Sequence, residues 1–363
     1  MIYSPLKTSF FYLSSLTLSV CAALTLSGCE LSNNTPSQVN TDAIKPIAAQ
    51  QTTDSQTKQQ NQNTSPSYQS FSCIDQFYQQ SPPVIRNKTT KHIYPICHDD
   101  FAVMYSGEKR VSLWVAQKLT KARVSQSLKR EDSFKEYTHG IPTEHQAKLS
   151  DYKGSGYDRG HMAPNAHMGT KSSQSDSFYL TNMVPQTPNS NQNDWREIEE
   201  AVRKMVRNTN RDTYVITGPA FLNNKNNPEK FIPCDKIDRN DKNEQPAKQC
   251  SQPAKNRIQV PTHTYKAVYF TSPKGTPFIS AYFVENDRDP KVEVMSVCEL
   301  EKKIGIYLFP ELDDETKKLV YDMPLSAGKV TTQPPKKLQS YTGKCLPALD
   351  PARIQTEKTK FQQ

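Results

Sequence analysis

The chain has 363 residues, 35% of them hydrophobic, and 46 Lys and Arg against 37 Asp and Glu give a formal charge of +9. It contains no internal repeat, no G-x-x-x-x-G-K-[ST] and no G-x-S-x-G, which excludes a repeat array, a P-loop nucleotidase and a serine-hydrolase elbow. The basic excess suits a polyanionic partner, since Lys and Arg neutralise phosphates and release counterions, although charge runs are mostly solvated surface.

The first 28 residues read as a targeting segment. Lys7 supplies a positive start, and the apolar run over residues 10–26 is broken by serine and threonine, too short for a transmembrane anchor. Leu26-Ser27-Gly28-Cys29 resembles a bacterial lipobox, in which Cys29 becomes the lipidated first residue; an ordinary secretory signal is the alternative. Glu30 stands where an aspartate would signal inner-membrane retention, so the expected location is the outer membrane. The alternative is a soluble periplasmic or secreted protein. Residues 29–70, rich in Gln, Asn, Ser, Thr and Pro, bury too little apolar surface to offset chain entropy. They read as a disordered tether spanning on the order of 35 Å.

Export makes the cysteines informative. Cys21 lies in the signal and Cys29 at the lipid site, which leaves Cys73, Cys97, Cys234, Cys250, Cys298 and Cys345. An even remainder in an exported chain argues for disulfides; zinc is the rival reading, with no C-x-x-C pair behind it. Six cysteines allow fifteen pairings. The favoured set is Cys73–Cys97 at the domain entrance, Cys234–Cys250 closing one loop, and Cys298–Cys345 stapling the C-terminal segment.

Residues 71–350 are expected to form one α+β domain with a central, mainly antiparallel sheet flanked by helices. Short strands are predicted at 101–105, 113–116, 178–184, 213–217, 263–270 and 278–285, without regular βαβ spacing. Within this region Tyr157-Asp158-Arg159-Gly160-His161-Met162-Ala163-Pro164 places a carboxylate, a guanidinium and an imidazole side by side. The imidazole can accept a proton near neutral pH, the guanidinium offers fixed donors to phosphate oxygens, and glycine permits close approach. A surface turn with a salt bridge is the bland alternative.

Some twenty residues on, Phe178-Tyr179-Leu180-Thr181-Asn182-Met183-Val184-Pro185-Gln186 reads as a strand closed by proline. A helix follows, with Trp195, Ile198, Val202, Met205 and Val206 on one face and Asn/Asp residues placed to cap it. Asn191 and Glu199 fall about 80° apart beside the apolar stripe, with Arg203 one turn beyond Glu199. Residues 222–258 read as an inserted surface loop, and 351–363 as a frayed tail. His139, His145, His161 and His167 suggest a multi-histidine metal site, but none has the spacing of a helical zinc pair.

DRGHMAP together with TNMVPQ…N…NDWREIE resembles the DNA/RNA non-specific endonuclease family, the ββα-metal nucleases that include endonuclease G. Tyr214 to Phe221, Val260 to Lys266 and Ser296 to Pro310 are similar to later family segments. The resemblance implies a strand ending in the histidine, a second strand, and a helix carrying a metal-binding asparagine. It implies that His161 is the general base and that Asn191 directly ligates one divalent cation. Magnesium suits so few protein ligands, with manganese a possible substitute. By the same resemblance Glu199 orients water beside the cation, Arg203 partners it, and Arg159 lies near the phosphate. Arg130 stabilises transition-state charge, and Asp158, Asn182 and Gln186 support the site. His167 departs from the pattern, which has a small or acidic residue there, and is expected at the rim. The implied activity is cleavage of DNA and RNA without strong sequence preference. The competing reading is a lipid-anchored nucleic-acid-capture protein with a decayed active site. The sequence does not indicate an oligomeric state.

Overall fold

Strands whose successive residues are apolar present an apolar surface on both faces and need cover on both sides, and the centre of the molecule is such a sheet. The computed structural model describes residues 72–232, 257–322 and 336–362. Its main strands are β1 (Ile93–Cys97), β2 (Ala102–Ser106), β3 (Val111–Leu119), β4 (Asp158–His161), β5 (Met183–Gln186), β6 (Thr213–Ala220), β7 (His263–Thr271), β8 (Pro277–Glu285) and β9 (Val292–Met295). Seven of them form one sheet in the order β9-β8-β7-β6-β3-β2-β1, with every neighbouring pair antiparallel. β4 and β5 make a separate antiparallel ribbon.

The helices that cover the sheet and shape the site are α1 (Lys121–Val124), α2 (Arg196–Thr209), α3 (Val297–Ile304) and α4 (Pro351–Thr359). On one face of the sheet Val103, Tyr105, Val115, Val215 and Val268 pack with Trp195, Ile198 and Val202 at the start of α2. On the other, Met104, Trp114, Ile216, Tyr265 and Tyr269 pack with Leu300 of α3 and with Leu308 and Phe309. The antiparallel α+β architecture is the one expected, and β2, β3, β6, β7 and β8 lie on predicted stretches with ends shifted by a few residues.

Three local expectations change. Residues 178–182 do not form one strand: Tyr179 makes an isolated bridge to Lys135, Leu180–Asn182 is a 3-10 turn, and the strand begins at Met183. The cause is Asn182. Its buried amide accepts from Ala163 N (2.9 Å) and donates to the carbonyls of Ala163 and Ser177 (both 2.8 Å), binding the chain to itself in place of a ladder. The helix lacks a side-chain cap and is preceded by a turn of π-helix, Ser190–Trp195. The tail is ordered as α4, with Asp350 capping Ala352 N, and Phe361 is fully buried against Phe77 and Trp114. The aromatic docks the segment together with Arg353, which donates to the Ile85 carbonyl (2.7 Å).

Disulfides join Cys73 to Cys97 and Cys298 to Cys345. Cys234, Cys250, Cys29 and the segment 1–70 lie outside the described residues, as does most of the 222–258 insertion.

In the ribbon, Gly160 lies opposite Val184, and the fully buried Gln186 side chain runs across it. A methyl group at Gly160 would overlap the Gln186 carboxamide. Gly160→Ala is therefore expected to lower stability by about 1–3 kcal/mol, the usual cost of overpacking. Denaturant titration would read this, and an unchanged midpoint would show that Gln186 can move aside.

Candidate active site

The ribbon and the start of α2 converge on a cleft of about 1280 Å³. β4 delivers Asp158, Arg159 and His161 to it, the π-helical turn delivers Asn191, and the first turn of α2 delivers Glu199; Arg130 comes from the upstream loop. Trp195 ties the two sources together, since its indole N–H donates to the His161 carbonyl (3.2 Å). A widened helical turn is a common device for re-aiming side chains at a site, and here it separates Asn191 from the regular helix that carries Glu199.

His161 is buried against Phe134 and the edge of Phe178, at ring distances of 5.8 and 5.1 Å. Its Nε2 is enclosed and has no hydrogen-bond partner among the described residues. Burial first, then the positive charge of Arg130, push its pKa down to about 3, with Asp132 pulling back and Arg159 adding a lesser push. The ring is therefore held neutral, with a nitrogen lone pair available to accept a proton.

Asn191 donates through Nδ2 to Asp158 Oδ2 (3.1 Å), which also accepts from Gln192 Nε2 (2.7 Å). With its amide nitrogen held by a carboxylate, the carbonyl oxygen is the atom that Asn191 can offer to a cation. Glu199 Oε1 is likewise enclosed and has no hydrogen-bond partner among the described residues. Enclosed acceptors of this kind are costly unless something occupies them. Arg159 stacks its guanidinium over Phe134 at 3.9 Å, and Arg130 sits over Phe178 at 5.6 Å while bonding Asp132 at 2.7 Å. Gln186 does not line the cleft; it packs beneath Gly160 and reaches Thr264 Oγ1 (3.4 Å).

Two site expectations change. Arg203 pairs with Glu200 rather than Glu199. The cation buried nearest in effect to Glu199 is Lys266 on β7, which the sequence reading passed over. Lys266 is fully buried, donates to Thr217 Oγ1 (2.8 Å) and lies 4.8 Å from the Trp195 ring centre. Burial pushes the Glu199 carboxyl up and the Lys266 ammonium down, and each charge pulls the other back. A signal existed: Lys266 occupies an inward position in the alternation of 263–270, where a lysine needs a partner. His167 is not at the rim. It is buried between β3 and α2, within 3.4 Å of Gln117 Oε1 and 3.3 Å of the Glu199 carbonyl.

His145 bonds the Tyr94 hydroxyl (2.6 Å), away from the cleft. Among the described residues no three His, Cys, Asp or Glu side chains are grouped to hold a metal. The donors at the cleft are instead amide and carboxylate oxygens, the set a hard divalent cation takes with water completing its shell.

A family model described as DNA/RNA non-specific endonuclease matches residues 82–315. Mitochondrial endonuclease G of Homo sapiens is 30% identical over 222 residues, covering 59% of this chain and 69% of the human protein. Nuclease C1 of Cunninghamella echinulata var. echinulata is 27% identical over 227 residues, covering 60% of this chain and 83% of the fungal one. In fold, a chain from the crystal structure of the EndoG/EndoGI complex superposes with a TM-score of 0.51 at 24% identity, over 61% of this chain and 88% of that one. The ββα arrangement of β4, β5 and α2 and the family match over most of the folded region agree: this chain belongs to the DNA/RNA non-specific endonuclease family.

Proposed function

We propose that the protein hydrolyses phosphodiester bonds of DNA and RNA with little sequence preference, using His161 as general base beside a magnesium ion held by Asn191. The observation that carries this reading is a pair of enclosed polar atoms without partners among the described residues, His161 Nε2 and Glu199 Oε1, in the same cleft as an Asn191 oriented by Asp158. His161 accepts a proton from water through its neutral imidazole. The water oxygen forms a bond to phosphorus as the bond to the leaving 3′ oxygen breaks, and that oxygen takes a proton from solvent water to leave as a hydroxyl. Glu199 orients the attacking water through its enclosed oxygen. Arg159 and Arg130 provide donors for the non-bridging phosphate oxygens, where charge builds up in the transition state. When bound, magnesium or manganese supplies Lewis-acid stabilisation of that charge. The polar cleft contacts backbone more readily than base edges, which accounts for indifference to sequence.

The test is cleavage of supercoiled plasmid and of RNA by purified protein, with magnesium and with EDTA. Nicking of both that stops in EDTA is the expected result. Tight binding without cleavage at any metal concentration would favour the capture protein.

For location we propose a lipid anchor at Cys29, supported by Leu26-Ser27-Gly28-Cys29 and the low-complexity stretch that follows. Cys29→Ala should abolish acylation and release the protein from membranes or leave it unprocessed. A wild-type N-terminus that carries no lipid by mass spectrometry would overturn the anchor.

A further inference from the structure

Arg130 and Asn165 line the catalytic cleft on one side and a second cavity, of about 260 Å³, on the other. The second space is enclosed by the 126–128 loop, by Gln174, and by Arg203 and Arg207 of α2. Three of its lining residues are arginines, and none is Asp or Glu. Two of those arginines are already partnered by carboxylates outside the lining, Arg130 by Asp132 and Arg203 by Glu200. Arg207 differs. Its Nε donates to the carbonyl of Val124 at the end of α1 (2.8 Å), which fixes the guanidinium plane, and it bonds no carboxylate among the described residues.

A fixed guanidinium in a pocket without acidic lining is suited to a phosphate, which it can grip through two parallel N–H groups. The shared wall matters as much as the charge. A nucleic-acid strand with one phosphate in the cleft presents further phosphates at regular steps on either side, and the lining is continuous from Asp158 and His161 through Arg130 to Arg207. We propose that this cavity is a second phosphate subsite, which takes a backbone phosphodiester adjacent to the one being cleaved. The proposal rests on the nuclease reading and deepens it, since it predicts a dependence on substrate length that cleavage alone does not require.

The test compares a long single-stranded oligonucleotide with a dinucleotide phosphodiester, which fills the cleft alone. Binding is measured by fluorescence anisotropy in EDTA, so it does not depend on cleavage, and steady-state rates are measured with magnesium. Arg207→Gln should weaken binding of the long strand several-fold and flatten the slope of log affinity against log salt by about one, the signature of one lost phosphate contact. Its kcat and KM for the dinucleotide should stay at wild-type values. Arg207→Lys, which keeps the charge but loses the fixed two-pronged grip, should keep the salt slope and recover only part of the affinity. Ser127→Glu, which places a carboxylate at an exposed position of the same cavity without touching the core, should repeat the length-dependent loss; melting temperatures would verify that each variant is folded.

Equal losses on both substrates, or an unchanged salt slope in folded Arg207→Gln, would each overturn the subsite. A wild type that binds and cuts neither substrate would instead overturn the nuclease reading beneath it, and the subsite with it.

Discussion

His161→Ala is expected to lower kcat on plasmid DNA by about 10²–10⁴-fold, the usual worth of a positioned general base, with little change in KM. Affinity should survive because the phosphate is held by Arg159 and Arg130, which do not depend on the imidazole for their places: one rests on Phe134, the other near Phe178. The pH profile adds a second reading. A base works only when neutral, and burial with Arg130 and Arg159 nearby holds the His161 pKa at about 3. The value of kcat/KM, which reports the free protein, should therefore persist into mildly acidic buffer, and its loss attributable to this ring should come only well below the ordinary histidine range.

So low a value also makes for a weak base in the free protein. An anionic phosphate entering the cleft offsets the two arginines and raises the proton affinity of the imidazole at the point where it is needed. Measuring kcat and kcat/KM separately against pH would show this, because kcat/KM reports the free protein and kcat the complex. Near-wild-type cleavage by His161→Ala at every magnesium concentration would remove the imidazole from the reaction.

The sequence exposed the parts of this site that are local. Asp158, Arg159 and His161 share one strand, and alternation along it sets which side each takes; the 3.6-residue pattern of Trp195, Ile198, Val202, Met205 and Val206 identified the buried face of α2. What escaped was set by contacts between distant segments. Phe178 to Asn182 has strand composition, yet the Asn182 carboxamide finds better partners in Ala163 and Ser177 than a ladder would give. Arg203 lies one turn from Glu199, but Glu200 is as near along the helix, and the buried Lys266 supplies charge to Glu199 from another strand. His167 carries no sign of burial in its neighbours. Only the packing of β3 under α2 places Gln117 and the Glu199 carbonyl around it. Phe361 similarly turns a polar tail into a docked helix.

Asn191→Ala should behave unlike His161→Ala. The neutral carbonyl is lost as a ligand while the proton acceptor remains, so the defect should lie in metal affinity and excess magnesium should restore part of the rate. Because Asp158 fixes the Asn191 amide from behind (3.1 Å), Asp158→Ala should produce a milder form of the same defect. Groups that orient a metal ligand without touching the metal typically contribute about 10–100-fold in metal affinity or activity, and a comparable rise in the magnesium needed for half-maximal rate is expected here. Gln192 also bonds Asp158, so Gln192→Ala should leave the Asp158–Asn191 contact in place and change the magnesium requirement least. A magnesium titration of the four variants against plasmid DNA separates the roles: rescue in the order Asp158→Ala, then Asn191→Ala, and none for His161→Ala. If Asn191→Ala shows the wild-type magnesium dependence at a reduced plateau, its carbonyl is not a ligand and the cation must be held elsewhere in the cleft.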